Sequence, residues 1–159
     1  MAVNDYRISK LRDYLFSVIS SNSNYQINAD MLGKVGDYSL DKIPTNKEIE
    51  KWIIGPEIHH DVFSLRSRKS YSQDTINNLK NIGFFEEFEK KINSNNEEGI
   101  LPDIEGIESI KCLNCGTLNS VDGTQATFDI QIEITYREDK EGGIISLWKL
   151  LQKKTFLVI

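Results

Sequence analysis

Residues 127–137, TFDIQIEITYR, alternate without a fault. Phe128, Ile130, Ile132, Ile134 and Tyr136 fall on one side; Thr127, Asp129, Gln131, Glu133, Thr135 and Arg137 fall on the other. Side chains of a strand point alternately to opposite faces, so the segment predicts a sheet strand with one dry and one wet face. Burying its five apolar residues contributes roughly 8–15 kcal/mol before entropy, at about 1.5–3 kcal/mol each. The wet face offers acids, an amide and hydroxyls, but no recognisable catalytic set.

The rest of the chain supplies partners for that strand. Ile8, Leu11, Leu15, Val18 and Ile19 repeat at helical spacing and predict an amphipathic helix over residues 4–20, with Asn4 or Asp5 as N-cap. SSNSN at residues 20–24 ends it. Short strands are expected at 26–31 and 38–43. Residues 47–54 and 57–69 read as a β-hairpin around Gly55-Pro56. In its second strand Ile58, His60 and Val62 share one face, while His59, Asp61, Phe63 and Leu65 share the other. A second helix is expected over 72–95, capped near Ser72, with Ile76, Leu79, Phe85, Phe88 and Ile92 as its apolar stripe and a kink or break at Gly83. Residues 108–118 read as one strand, and Val121-Asp122-Gly123-Thr124 as the turn into 127–137. Glu138 to Gly143 reads as a linker, followed by the apolar segment IISLWKLLQKKTFLVI.

At 159 residues the chain fits one domain, with a sizeable core. The expected architecture is α+β: a single domain over residues 1–139 whose mixed, mostly antiparallel β-sheet packs against amphipathic helices, with residues 140–159 as a C-terminal apolar arm or helix. A net charge of −5 argues against a general binder of nucleic acid or anionic membrane. The polar start MAVNDYRISK has no signal-peptide core, and no apolar run approaches the roughly 18 residues of a membrane span, so the chain is expected to be made and kept in the cytoplasm or assembled there.

Cys112-Leu113-Asn114-Cys115-Gly116 is the one motif with the look of chemistry. A C-x-x-C pair supplies half of a tetrahedral zinc site, but no second pair exists. Two thiols are too few for a secreted disulfide framework, and small buried or edge cysteines are the plainer reading. His59-His60-Asp61 lacks any G-x-S-x-G or H-E-x-x-H companion, and adjacent strand residues face opposite ways, so these histidines read as surface or interface residues. Arg66, Arg68, Lys69 and Tyr71 form a small basic cluster that suits phosphate or, on this acidic chain, a solvated strand end or salt-bridge partners. The tail carries Ile144, Leu147, Trp148, Leu150, Leu151 and Phe156, an apolar surface that either folds back on its own domain or docks on a neighbour. No catalytic residue, cofactor or metal ligand set is assigned, and an enzyme is not expected.

Three stretches carry a resemblance: KLRDYLFSVI, FSLRSRKSYSQDTINNLKNIGFFEEFEKKI and LPDIEGIESIKCLNCGTLNSVDGTQATFDIQIEITYRED. Together they cover most of residues 6–139, and they resemble the small minor capsid, tail-completion and head-tail joining proteins of phages infecting Gram-positive bacteria. That resemblance implies a tail terminator, a structural virion protein in the tail or neck of a phage or phage-tail-like particle, assembled in the bacterial host cytoplasm. Its implied form is a homo-oligomer, a hexameric ring that caps the tail tube protein, joins the head-tail connector and touches sheath protein in contractile particles. DNA would pass through the lumen without sequence-specific binding, and no membrane is involved. The alternative is a small zinc- or partner-binding module built on the Cys112/Cys115 turn.

Overall fold

A computed structural model describes residues 5–19, 27–29, 32, 35–45, 49–51, 56–71 and 75–139. In chain order these form α1 (Arg7–Ile19), β1 (Ile27–Ala29), β2 (Tyr38–Lys42), β3 (Ile49–Lys51), β4 (Glu57–Ser70), α2 (Thr75–Glu97), β5 (Ile107–Cys112), β6 (Thr117–Asp122) and β7 (Gln125–Glu138). The fold is α+β in one domain, and the described strands form one seven-stranded sheet. The expected arm at 140–159, including Ile144, Leu147, Trp148, Leu150, Leu151 and Phe156, lies outside the described residues, as do Asn4, Ser72, the 20–24 stop and Gly55.

Two 14-residue strands, β4 and β7, form the spine, antiparallel from Glu57 opposite Glu138 to Ser70 opposite Gln125. On the outer side of β4 lie β2 and then β1, with β3 beside the start of β4; on the outer side of β7 lie β5 and β6, end to end. Among the described residues only the β1–β2 pair is parallel. The alternation of β7 is realised in full. Phe128, Ile130, Ile132, Ile134 and Tyr136 are buried, while every wet-face position from Thr127 to Thr135 is half-buried.

The helices pack on the dry face. Leu11, Tyr14 and Leu15 of α1 and Phe85, Phe88 and Ile92 of α2 join one core with Leu40, Leu65 and the even-numbered residues of β7. Asn95 at the end of α2 donates to the Tyr14 hydroxyl at 3.2 Å and ties the helices together.

Several expectations are corrected. α1 starts at Arg7, where the Tyr6 carbonyl accepts from the amides of Ser9 and Lys10, so the boundary lies after Asp5. α2 runs unbroken through Gly83, where a Cβ would meet nothing within 4 Å; the residue's cost in helix propensity is outweighed by the packing of Phe85, Phe88 and Ile92. Leu79 is not in the buried stripe but 60% exposed. The strand expected over 108–118 is two strands, parted at Leu113–Gly116. The turn from β6 to β7 is as expected: Asp122 pairs with Gln125, and Gly123 takes φ of 58°, a left-handed conformation suited to glycine.

Candidate functional site

Three places gather polar chemistry, and in each β7 brings partners together. The first is the wet face. Register puts His60 opposite Thr135, Ser64 opposite Gln131, Arg66 opposite Asp129 and Arg68 opposite Thr127. Its charges are cross-linked. Arg66 pairs with Asp41, which also accepts from Ser39 at 2.9 Å. Asp129 accepts from Ser64 at 2.9 Å and Thr117 at 3.2 Å. Glu133 meets Lys111 at 2.8 Å and lies 3.6 Å from His60 Nδ1, while Arg137 Nε donates to Glu108 at 2.9 Å. Asp41, Glu133 and Glu108 pair with cations on neighbouring strands and Asp129 with hydroxyls, so these cross-strand contacts tie the strands to one another.

The basic cluster read from the sequence is therefore divided. Arg66 and Arg68 belong to the wet face; Lys69, one residue on, lies opposite Ala126 on the dry face. There the Lys69 ammonium donates to the Tyr38 hydroxyl at 3.0 Å and sits 4.5 Å from the centre of the Phe84 ring. Burial lowers its pKa. Tyr71 packs against the core. Strand alternation explains the separation: four residues close in sequence are split between two faces.

The second place is the rim of the dry face where α1 begins. Arg7 donates to the Tyr136 hydroxyl at 3.0 Å, and that hydroxyl donates to Asp61 Oδ2 at 3.2 Å. Lys42 completes the chain at 3.0 Å from Asp61 Oδ1, so the buried carboxylate has a cation and a hydroxyl as partners. Arg7 also lies 4.2 Å over the Tyr136 ring and pairs with Glu138. Burial, then the Asp61 charge, push the Tyr136 hydroxyl up to about 12, against the pull of Arg7. His59 stacks on Tyr136 at 5.2 Å with 8° between planes, and its side chain is only 13% exposed, so of the surface or interface places expected for it the open surface is not the one it occupies. Its Nε2 lies 3.4 Å from Glu138 Oε2 and 3.7 Å from Glu57 Oε2, without hydrogen-bond geometry to either. This network fastens the first helix to both long strands. Sequence reading missed it because its members are far apart in the chain, Arg7 and Tyr136 by 129 positions.

The third place is the Cys112–Gly116 break. Here the Leu113 amide donates to the Gln131 carbonyl at 2.8 Å, and the Asn114 side chain accepts from the Gln131 amide at 2.7 Å. Asn114 thus replaces a peptide group in the ladder with β7. Gly116 lies against Phe85, where a Cβ would stand 2.1 Å from Cγ of the ring. Cys112 faces the dry side opposite Ile132, whereas Cys115 is exposed. Burial, with Glu89 and Cys115 adding to it, pushes the Cys112 thiol up to about 12. Among the described residues no group of three or more His, Cys, Asp or Glu side chains is placed to hold a metal ion.

An open cleft of about 400 Å³ lies elsewhere, between α1 and the 101–103 loop, lined by Lys10, Asp13, Tyr14, Leu101, Pro102 and Asp103. Among the described residues, no helix is long and apolar enough to cross a membrane. Compared with known proteins, the chain matches no family model and no curated protein.

Proposed function

We propose that this protein is a structural component of a phage or phage-tail-like particle, of the tail terminator type. Six copies form a ring that caps the tail tube and joins it to the head connector. The observation that carries this reading is the wet face. It is a surface on two 14-residue strands whose acids are engaged by neighbouring cations and hydroxyls, suited to contact rather than to reaction. Catalysis needs groups held ready for a substrate, and here the acids of β7 are already engaged by neighbours on β4, β5 and β6. The resemblance of residues 6–139 to small tail-completion proteins supplies the particular assembly. Neighbouring subunits meet through sheet edges, loops and the apolar tail at 144–159.

Deleting residues 144–159 tests the reading in particles. Tails that fail to end at the correct length, or that do not join heads, are the expected result. Normal joined tails built with the truncated chain would remove the arm from the proposal, and normal tails built with no copy of the protein would end it.

A further inference from the structure

We infer that the outer edge of β6 is a self-complementary pairing site, taken by the β6 of a second copy in antiparallel register. All six residues of β6 are exposed, and among the described residues the strand pairs with β7 on one side only. The neighbouring edge on the same side of β7 is guarded. On β5, the Ile110 amide is taken by Asn96 Oδ1 of α2 at 3.2 Å, and Lys111 stands beside it. β6, with sequence TLNSVD, has neither proline nor lysine, two of the devices that block edge pairing; it is short and bulged, and the bulge sets which register it can use.

The occupant follows from the order of its side chains. Set antiparallel to itself about its midpoint, β6 places Leu118 opposite Val121 of the second copy, and Thr117 opposite Asp122. Asn119 meets Ser120. Apolar meets apolar, and no acid meets an acid.

A regular strand could not use this register, because residues 118 and 121 would point to opposite faces. Here the pairing to β7 slips by one residue between Leu118 and Ser120. That bulge brings Leu118, opposite Phe128, and Val121, opposite Ala126, to the same face. Both are 48% exposed. In the pair, two Leu118 and two Val121 side chains therefore form one apolar patch beside the joined edge, and Thr117, Ser120 and Asp122 line the other face.

The contact is isologous and closes on two copies. A ring needs head-to-tail contacts, so this pairing belongs to the free chain and does not rest on the ring reading. A six-residue edge is a small interface, and the dimer is accordingly weak.

Sedimentation of the full chain from about 1 to 500 µM, a range chosen for a small interface, should show monomers passing to dimers. Hydrogen exchange at the β6 amides should slow with concentration while other edges stay unchanged. Val121→Lys puts a charge into the patch in both copies and should weaken dimerisation by about tenfold or more, with an unchanged circular dichroism spectrum. Val121→Ile should leave it intact. A chain that stays monomeric throughout overturns the inference, as does a dimer indifferent to Val121→Lys. A six-membered ring whose mass and β6 exchange are both unchanged by Val121→Lys overturns this pairing while leaving the functional proposal standing.

Discussion

Gly116→Ala should destabilise the fold, and its cost can be worked from one contact. An added Cβ would lie 2.1 Å from Phe85 Cγ and 2.6 Å from both Phe85 Cβ and Cδ1. Carbon atoms rest at about 3.5–4.0 Å, so the ring or the loop must give by more than about 1 Å. Neither gives easily. Phe85 is 2% exposed, with Phe84 at 5.1 Å and Phe128 at 5.9 Å between ring centroids. The loop is pinned to β7 through Leu113 and Asn114. Overpacking of this kind costs about 1–3 kcal/mol, and we expect the upper half of that range. With a urea slope of about 1–3 kcal/mol per molar, the unfolding midpoint should fall by roughly 1 M, read by far-ultraviolet circular dichroism. Phe85→Leu costs something by itself, but it vacates the space the new methyl needs. The double variant should be less destabilised than the sum of the singles by about 1 kcal/mol or more. A Gly116→Ala change within about 0.5 kcal/mol of the wild type, or an additive double variant, would refute the packing argument. Midpoints should be the same with and without a chelator, since the glycine serves the Phe85 contact and not a metal loop.

Other outcomes follow from neighbouring contacts. Asn114→Ala should cost about 1–2 kcal/mol by leaving the Gln131 amide without its acceptor, and Asn114→Asp, which keeps an oxygen there, should cost less. Alkylation near neutral pH should modify exposed Cys115 first and Cys112 far more slowly, because the Cys112 thiol is held protonated; equal rates, followed by peptide mass mapping, would contradict this. Tyr136 has its folded value raised from 10.0 to about 12, so the native state keeps a proton that the unfolded chain releases earlier. Its contribution is whole below pH 10 and is lost as the pH rises through about 12. Denaturation midpoints across that window should fall in the wild type and fall less in Tyr136→Phe; parallel curves would count against the assignment.

The sequence spoke most clearly where structure is local. The period-two pattern of 127–137 became β7 with its dry side buried residue for residue, and Asp122-Gly123 became the turn that feeds it. The division of β4 into an Ile58/His60/Val62 face and a His59/Asp61/Phe63 face is also the observed one. Where the reading failed, a distant group had replaced a local signal. Residues 108–118 look like one strand because nothing in CLNCG announces that the Asn114 amide will stand in for a peptide, or that Gly116 will meet a phenylalanine 31 positions earlier. Gly83 looked like a breaker, yet burial of Phe85, Phe88 and Ile92 carries α2 through it. The cover over His59 was not legible because its stacking partner, Tyr136, arrives only when β7 pairs with β4. The Arg7–Tyr136–Asp61–Lys42 chain is of the same kind, joining α1, β7, β4 and β2 through contacts that no window of sequence contains.

Electron microscopy of purified particles, with the protein located by a label on its chain, tests the central claim most directly. The account predicts a ring of six copies at one end of the tail tube, between tube and head. Assembled, joined particles from which the protein is absent would contradict it.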